Sequence, residues 1–225
     1  MNRNPERKVK YVQITSDILE QEGVEGVTIR KVAERAHCTS AVLYKHFSDK
    51  DHLVMLASIR FLEPYINEFL KQNARHDISS LQMDLLLWKT FIFEAFRNRP
   101  YYELMFFGDK RETLEDCVYE YYQMFPSVLQ QFDGLTASVV FSGNLADREL
   151  IRLRRAVIEG DITSENARLL AQLAVAVFNG IFVEGKGASE TEEDVQRASE
   201  HCYGLIKALF EQFSNPGTKL EPDEG

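Results

Sequence analysis

The sequence is poor in the residues that build disulfide frameworks, metal sites and nucleotide-binding loops. Its three cysteines lie far apart without a CxxC spacing, and its five histidines have no metal-ligand spacing. No Ser or Cys stands in a recognisable nucleophile motif, and no glycine-rich dinucleotide loop follows a strand pattern. We therefore predict no catalytic site, no metal site and no cofactor. The cysteines are expected to be small buried side chains in a reducing cytoplasm.

Long uninterrupted apolar runs are also missing. The longest apolar stretch, residues 169–183, is interrupted by Gln172 and Asn179, and no apolar segment of the signal-peptide type follows Met1. Secretion and membrane spanning are therefore not expected, and the predicted location is the cytoplasm. Hydrophobic residues make up 44% of the 225 residues, which is enough for a sizeable core.

Positive charge is scarce, because the formal net charge at neutral pH is −9. Residues 1–60 nevertheless carry ten Lys and Arg against eight Asp and Glu, whereas residues 61–225 carry sixteen against twenty-seven. The cations of the first part cluster at residues 3–10, 30–35 and 45–50. A mildly positive face near the start of the chain indicates a nucleic-acid partner.

Residues 28–53 have the pattern of a helix-turn-helix. Thr28 can cap a short helix whose apolar residues recur at helical spacing, and residues 37–39 suit a tight turn in which Thr39 caps the next helix. Leu43 and Phe47, four residues apart, would anchor this second helix, residues 40–47, in the core. Several of its other side chains then remain exposed for a DNA groove: Ser40, Ala41, Val42, Tyr44, Lys45 and His46.

Residues 36–53, with Leu-Tyr-Lys-His-Phe at positions 43–47 and a lysine at position 50, resemble the N-terminal DNA-binding domain of the tetracycline-repressor (TetR) family. Two positions depart from the family pattern: His37 stands where glycine is usual, and Ser40 stands where a basic or large polar residue is commoner. The operator sequence therefore does not carry over.

The resemblance implies a division of labour among the DNA-binding residues. Thr28, Tyr44 and Lys50 match positions that contact phosphates. Arg30, Ser40, Val42 and Lys45 match positions that face base edges. Together with the residues exposed by the helical pattern, the predicted DNA-binding set is Thr28, Arg30, Thr39, Ser40, Val42, Tyr44, Lys45, His46 and Lys50.

Helical signals continue through the whole chain. A first helix precedes the helix-turn-helix, and Ser48 with Asp51 resembles a capping box that opens a fourth helix beside Lys50. Pro64 lies within the pattern of that helix, so either a kink or a break is expected near residues 60–64. Further helices are predicted at residues 78–98, 100–107, 112–130, 145–159, 163–184 and 191–213.

These signals predict an all-α fold. An N-terminal helix-turn-helix DNA-binding domain of three helices spans residues 1–48, and a helical ligand-binding and dimerisation domain spans residues 49–213. Residues 214–225 form a tail that we predict to be disordered, because the tail is short of apolar residues.

Aromatic residues are concentrated in the middle of the chain, where residues 61–141 hold 17 of the 25. An aromatic stripe at helical spacing is often ordinary core. So many large flat side chains on short broken helices also favour a ligand cavity, for an apolar or aromatic effector. The predicted lining residues are Trp88, Phe91, Phe96, Tyr102, Phe106, Tyr119, Tyr122, Phe125 and Phe141.

Residues 145–159 place Arg148, Arg152 and Arg155 on one helix face. A solvated face paired with acidic surroundings is the simpler interpretation, and an anion-binding edge of the cavity is the alternative.

The last two predicted helices are apolar enough to associate with their copies in a four-helix bundle, so we predict a homodimer. The expected interface residues are Leu170, Ala174, Phe178, Ile181, Cys202, Ile206 and Leu209.

The predicted function is ligand-responsive transcriptional regulation, with repression as the expected mode. A homodimer binds a palindromic double-stranded DNA operator and is released by a small effector, and no membrane is involved. The alternative is a helical ligand-carrying protein or enzyme that contains a helix-turn-helix.

Overall fold

The computed structural model describes residues 5–185 and 191–220, and over these ranges the chain forms helices and no strand. The prediction of an all-α fold is therefore confirmed. Three 3-10 turns, Val24–Gly26, Ile59–Leu62 and Arg111–Thr113, join some of the helices. The α-helices are α1 (Pro5–Glu22), α2 (Ile29–Arg35), α3 (Ser40–Leu43), α4 (Lys50–Ser58), α5 (Glu63–Asn73), α6 (Ser80–Arg97), α7 (Arg99–Phe106), α8 (Leu114–Met124), α9 (Pro126–Leu129), α10 (Gly134–Val140), α11 (Leu145–Glu159), α12 (Ser164–Glu184) and α13 (Glu192–Phe213).

The first of two compact units comprises Met1–Glu63 and Arg99–Gln131, and so contains α1–α4 and α7–α9. Here α1 packs against α4, and α8 contacts both. Ser16 Oγ donates a hydrogen bond to the carbonyl oxygen of Ala57 at 3.0 Å, and the Tyr101 hydroxyl donates to that of Leu19 at 2.5 Å. Buried polar bonds therefore add to apolar packing in fixing α1.

The second unit comprises Pro64–Asn98 and Phe132–Gly225, with α5, α6 and α10–α13. In it α6 packs against α11 and α13, and α12 also lies against α11 and α13. The ring of Phe178 on α12 lies 6.1 Å from Trp88 and 5.2 Å from Phe91, measured between centroids, and Phe182 lies 5.5 Å from Phe96. An aromatic core thus joins α6 to α12.

The α-helix that starts at Lys50 is interrupted before Pro64. The α-helical pattern stops at Ser58, the 3-10 turn Ile59–Leu62 follows, and α5 begins at Glu63. Pro64 is the second residue of α5, where its missing N–H leaves no helical hydrogen bond unmade. The alternative that the sequence left open is thus decided in favour of a break.

Several predicted boundaries are corrected by local hydrogen bonding. The α-helical part of α3 ends at Leu43 instead of residue 47, because the Lys45 and His46 amides donate to carbonyls three residues back, as in a 3-10 turn. Thr39 occupies the cap position of α3, yet its side chain accepts no capping bond. At α4 the cap is Asp49, which accepts the His52 amide at 2.7 Å, instead of Ser48.

The predicted helix at residues 112–130 is two helices, because the Phe125 backbone leaves the helical region. Helix α10, which Asp133 caps, was not predicted.

The boundary at residue 48 between a DNA-binding domain and a ligand-binding domain stays a prediction. The first compact unit extends beyond it to Glu63 and also includes α7–α9. The disorder of the tail stays a prediction, and its first residues make hydrogen bonds to the turn after α11. Asn215 donates its amide to Asp161 and its side chain to Gly160, both at 2.7 Å, and Thr218 donates to Asp161 at 3.3 Å. Side-chain hydrogen bonding thus connects this segment to that turn without apolar burial. Residues 221–225 of the predicted tail lie outside the described residues.

The turn of the helix-turn-helix is a Schellman motif with an unusual residue at its left-handed position. His37 has a φ of 55°, its amide donates to Glu34 at 3.1 Å, and the Cys38 amide donates to Ala33 at 2.9 Å. The same pair of bonds ends α11, where glycine holds the position with a φ of 84°. His37 therefore keeps the turn at the cost of a conformation that a Cβ atom disfavours.

We expect His37→Gly to have a higher free energy of unfolding than His37→Ala, by about 1 kcal/mol, because only glycine adopts positive φ without strain. Urea denaturation of the two variants measures the difference. The matched control is Gln13 on the exposed face of α1, where glycine should instead be less stable than alanine by about 1 kcal/mol. An alanine variant at position 37 as stable as the glycine variant would contradict the strain.

The second unit contains a buried ion cluster. The Arg152 guanidinium donates to Asp84, to Glu149 and, at 3.0 Å, to the Tyr65 hydroxyl, and these four side chains are almost fully buried. Burial, and next the charge of Asp84, raise the pKa of Glu149 well above its ordinary value. Arg148 is also buried, and it donates to the carbonyl oxygens of residues 140 and 142. The prediction of a solvated arginine face is therefore wrong for two of its three members.

Replacing Arg152 with methionine should lower the free energy of unfolding by about 3–5 kcal/mol, because two buried carboxyl groups lose their cation. The deficit should shrink as the pH falls through the raised pKa of Glu149, since protonation of this carboxyl group removes uncompensated charge. Denaturant titrations over a pH series measure both effects. Arg155→Met is the control, because Arg155 is exposed; equal losses at both positions would argue against a role for the cluster.

Candidate nucleic-acid interface

Two buried side chains hold the reading helix on its unit. Leu43 at the end of α3 is 0% exposed, and Phe47 just beyond it is 2% exposed. The Tyr11 ring of α1 lies 6.4 Å from that of Phe47 and 5.4 Å from the imidazole of His46, in edge-on geometry. This anchoring sets which face of α3 points outward.

The predicted DNA-binding residues lie mostly on the surface. Tyr44 is 56% exposed although it is a large aromatic residue. Thr28, which accepts the Lys31 amide at 3.1 Å and so caps α2, is exposed as well. Arg30, Thr39, Lys45 and Lys50 are exposed, and Ser40, Val42 and His46 are half-buried.

The cations of the helix-turn-helix fall into two groups. Glu22 accepts an ion pair from Lys31 and another, at 2.9 Å, from Arg35, and the hydrogen bond from Lys31 lowers the pKa of Glu22. No ion pair among the described residues neutralises the second group, which is Arg30, Lys45 and Lys50. The unneutralised charges are those that match DNA-contacting positions.

The start of α4 concentrates positive potential. Lys50 is the first residue of this helix, so its ammonium group adds to the positive end of the helix dipole. The neighbouring carboxylates are occupied, because Lys110 pairs with Asp49 at 2.8 Å and with Asp51 at 3.4 Å. The hydrogen bond from Lys110, and next that from the His52 amide, lower the pKa of Asp49. An external anion such as a phosphate suits this position.

Sequence reasoning missed Glu120, which lies on α8 and contacts Lys8 of α1 and His52 of α4. No local pattern could have identified it, since 112 residues separate it from Lys8. A groove of about 490 Å³ opens beside this contact, and Ser48, Asp49 and Lys110 are among its other lining residues.

The predicted effector residues occupy different parts of the fold. Trp88, Phe91 and Phe96 are buried and lie together in the aromatic core of the second unit. Phe141 belongs to the same unit and lies 6.2 Å from Phe132. The remaining five are in the first unit: Tyr102 and Tyr122 are buried, Phe106 and Phe125 are half-buried, and Tyr119 is 57% exposed.

The predicted dimer face is corrected by burial. Five of its seven residues are 0% exposed within one protomer and so offer no surface to a second copy: Leu170, Ala174, Phe178, Cys202 and Ile206. Their side of α12 and α13 faces the protomer core. The large apolar residues that these two helices do expose are Leu169 (42%), Leu173 (40%), Val183 (49%) and Leu205 (43%).

Helix α12 is also the one described helix that is long and apolar enough to cross a membrane, with a mean hydropathy of 1.4. Buried core helices pass the same test. Within residues 5–185 and 191–220, no three His, Cys, Asp or Glu side chains are grouped as a metal site.

Comparison with known proteins places the helix-turn-helix segment in a family. Residues 15–55 match the model of the bacterial regulatory proteins of the tetR family. HTH-type transcriptional regulators of Staphylococcus aureus are 24% identical to the chain over 86 residues, which is 36% of this chain and 46% of theirs. The match thus spans about half the length of these relatives.

Solved structures resemble the chain over nearly its whole length. A protein of Mesorhizobium loti, described as a TetR-family transcriptional regulator, has a TM-score of 0.54 at 13% identity, covering 96% of this chain and 100% of its own. SmeT, the repressor of the Stenotrophomonas maltophilia multidrug efflux pump SmeDEF, has a TM-score of 0.51 at 16% identity, covering 96% and 94%. At such identities the likeness shows the fold alone.

The matched family is one of regulatory proteins and not of enzymes, which agrees with the prediction that the chain is not an enzyme. The family match covers the helix-turn-helix, and the structural likeness covers the helical remainder. The helix-turn-helix segment is thus similar to the TetR family of regulators, and the whole chain has the fold of solved structures described as members of that family.

Proposed function

We propose that this protein is a ligand-responsive transcriptional regulator that binds a palindromic double-stranded DNA operator as a homodimer. The observation that carries the proposal is the set of three exposed cations on the helix-turn-helix, Arg30, Lys45 and Lys50, whose charge no described acidic residue neutralises. Cations without ion-pair partners repel one another, and a polyanion such as DNA relieves this repulsion.

Reading and positioning fall to different residues in this proposal. Tyr44 and Lys50 hold phosphates, the latter at the N-terminus of α4, where the helix dipole also favours an anion. Arg30 and Lys45 reach base edges, where a long cation discriminates guanine. Because only a few cations take part, affinity for random DNA is modest and depends on salt.

The homodimer forms through the exposed apolar side chains of α12 and α13. Leu169, Leu173 and Val183 recur at helical spacing along α12, and Leu205 continues the apolar surface on α13. Burying such a stripe against its copy yields a two-fold axis, which relates two recognition helices to two half-sites.

The effector is a small apolar or aromatic molecule, and its binding site draws on the predicted aromatic residues. The clustering of Trp88, Phe91 and Phe96 with α12 supports this, because such a wall stacks flat ligands. The effector releases the operator by binding more tightly to the arrangement that cannot bind DNA. Repression is the simplest mode, and SmeT, which shares the fold, is described as a repressor. The cytoplasm is the proposed location.

Substitution of two lysines separates reading from positioning. Lys45→Ala should relax preference at one or two base pairs, at about 1–3 kcal/mol each, whereas Lys50→Ala should weaken binding to all sequences alike. Fluorescence anisotropy with an operator selected from random duplexes, and with scrambled DNA, measures both. Lys71→Ala is the control, since it removes the same charge from α5. Equal losses on operator and scrambled DNA for Lys45→Ala would remove Lys45 from the reading set.

The dimer is tested on α12. Leu173→Glu should weaken self-association by at least about tenfold, because a charge would be buried without a partner. Sedimentation equilibrium at micromolar concentration measures it. Ile158→Glu serves as the control, because Ile158 is 84% exposed on α11. A wild-type protein that is monomeric at this concentration would contradict the proposed dimer.

A further inference from the structure

One carboxylate on α8 contacts α1 and α4, the two helices on either side of the helix-turn-helix. Glu120 Oε1 accepts an ion pair from Lys8 Nζ on α1, and Glu120 Oε2 lies 2.8 Å from His52 Nε2 on α4. All three residues belong to the first compact unit. The contact joins α8, which the sequence places outside the helix-turn-helix, to the two helices that flank it.

The partners of Glu120 in turn hold the end of the reading helix. The His52 ring packs edge-on against Phe47 at 5.9 Å between centroids, and its Nδ1 accepts the amide of Ser48 at 3.3 Å. The Lys8 ammonium lies 5.4 Å from the centre of the Phe47 ring. Because Nδ1 accepts, Nε2 carries the proton, and the carboxylate of Glu120 fixes this tautomer.

The charge on Glu120 persists at neutral pH. The hydrogen bond from His52 is the largest influence on its pKa, burial opposes it, and the ion pair with Lys8 adds to it, with a net pKa of about 2. The carboxylate therefore remains an acceptor for both partners at any pH at which the folded protein meets DNA.

We propose that Glu120 is a positioning residue for DNA recognition, which holds Lys8 and His52 around Phe47 and so sets the angle of α3 and the first turn of α4. The assignment deepens the proposed DNA-binding function and depends on it. Glu120 itself needs no contact with DNA.

A role in positioning differs from a role in stability. The side chain of Glu120 is 34% exposed, and ion pairs that water reaches contribute about 0–1 kcal/mol to folding. Base contacts are more demanding, because a small rotation of α3 moves several side chains out of hydrogen-bond reach. Helix α8 also carries Tyr119 and Tyr122 of the predicted effector set, so a shift of this helix would reach α1 and α4 through Glu120.

The test is Glu120→Gln in the full-length protein, with binding to the selected operator and to scrambled DNA measured by anisotropy. Loss of a negative charge would by itself strengthen binding to any DNA. We expect the opposite for the operator, a fall in affinity of about tenfold, with affinity for scrambled DNA unchanged or higher. Glu115→Gln is the matched control, because it removes the same charge from the exposed side of α8.

A second route uses the partner of Glu120. Lys8→Gln should also weaken operator binding, and the double variant Lys8→Gln/Glu120→Gln should lose no more than the weaker-binding single variant, because both changes break one contact. Additive losses would instead mean that Lys8 acts alone on a phosphate, and would overturn the assignment. Thermal melts followed by circular dichroism establish that each variant is folded during the assay.

The outcomes separate the two claims. If the wild-type protein selects an operator and Glu120→Gln behaves like Glu115→Gln, the positioning role is wrong and the proposed function stands. If Glu120→Gln weakens operator and scrambled DNA by the same factor, the residue is merely structural and the assignment falls. If the wild-type protein selects no sequence at all, the proposed function fails, and the role of Glu120 fails with it.

Discussion

The burial of Leu43 and Phe47 is the constraint on which the proposed DNA-binding surface depends. A helix of four residues cannot be stable by itself, because nucleation costs more than so few hydrogen bonds return. Helix α3 packs against α2, Leu43 at its end is buried, and the ring of Phe47 just beyond it contacts Tyr11 of α1 and His52 of α4. Its outward side chains are consequently fixed by what lies beneath them, so that the residues of α3 in the proposed DNA-binding set take their positions from the core.

Local ion pairs, and not the net charge of the chain, decide which charges this surface presents. Glu22 forms ion pairs with Lys31 and Arg35. Lys110 forms ion pairs with Asp49 and Asp51. The cations Arg30, Lys45 and Lys50 of the helix-turn-helix have no ion pair among the described residues. A chain with a net charge of −9 can therefore still present a cationic face to DNA, because salt screens interactions between surface charges beyond about 8–10 Å.

The second unit combines an aromatic core with an ion cluster. Arg152 bridges Asp84 and Glu149 where none of the three is solvated, so each group depends on the others for its charge. The anion-binding role considered for Arg152 loses support, since its guanidinium is already engaged with two carboxyl groups and with Tyr65. In the proposed function, the effector is therefore recognised by other side chains, for which we propose Trp88, Phe91 and Phe96.

The sequence by itself determined the helical fold class, most helix starts and the helix-turn-helix, since these follow from residue order over a few turns. Thr28 caps α2 as predicted, and Thr163 and Thr191 cap α12 and α13 at the helix starts that the pattern predicted. Only the tertiary structure decided which face of each helix is buried. The apolar residues of α12 and α13, such as Phe178 and Ile206, suit both the protomer core and a second copy, so their pattern alone does not choose between the two. The tertiary structure also decided the contact of Glu120 with Lys8 and the burial of Arg152. Partners far apart in the chain produce no local sequence pattern, so only the folded structure shows which charges meet.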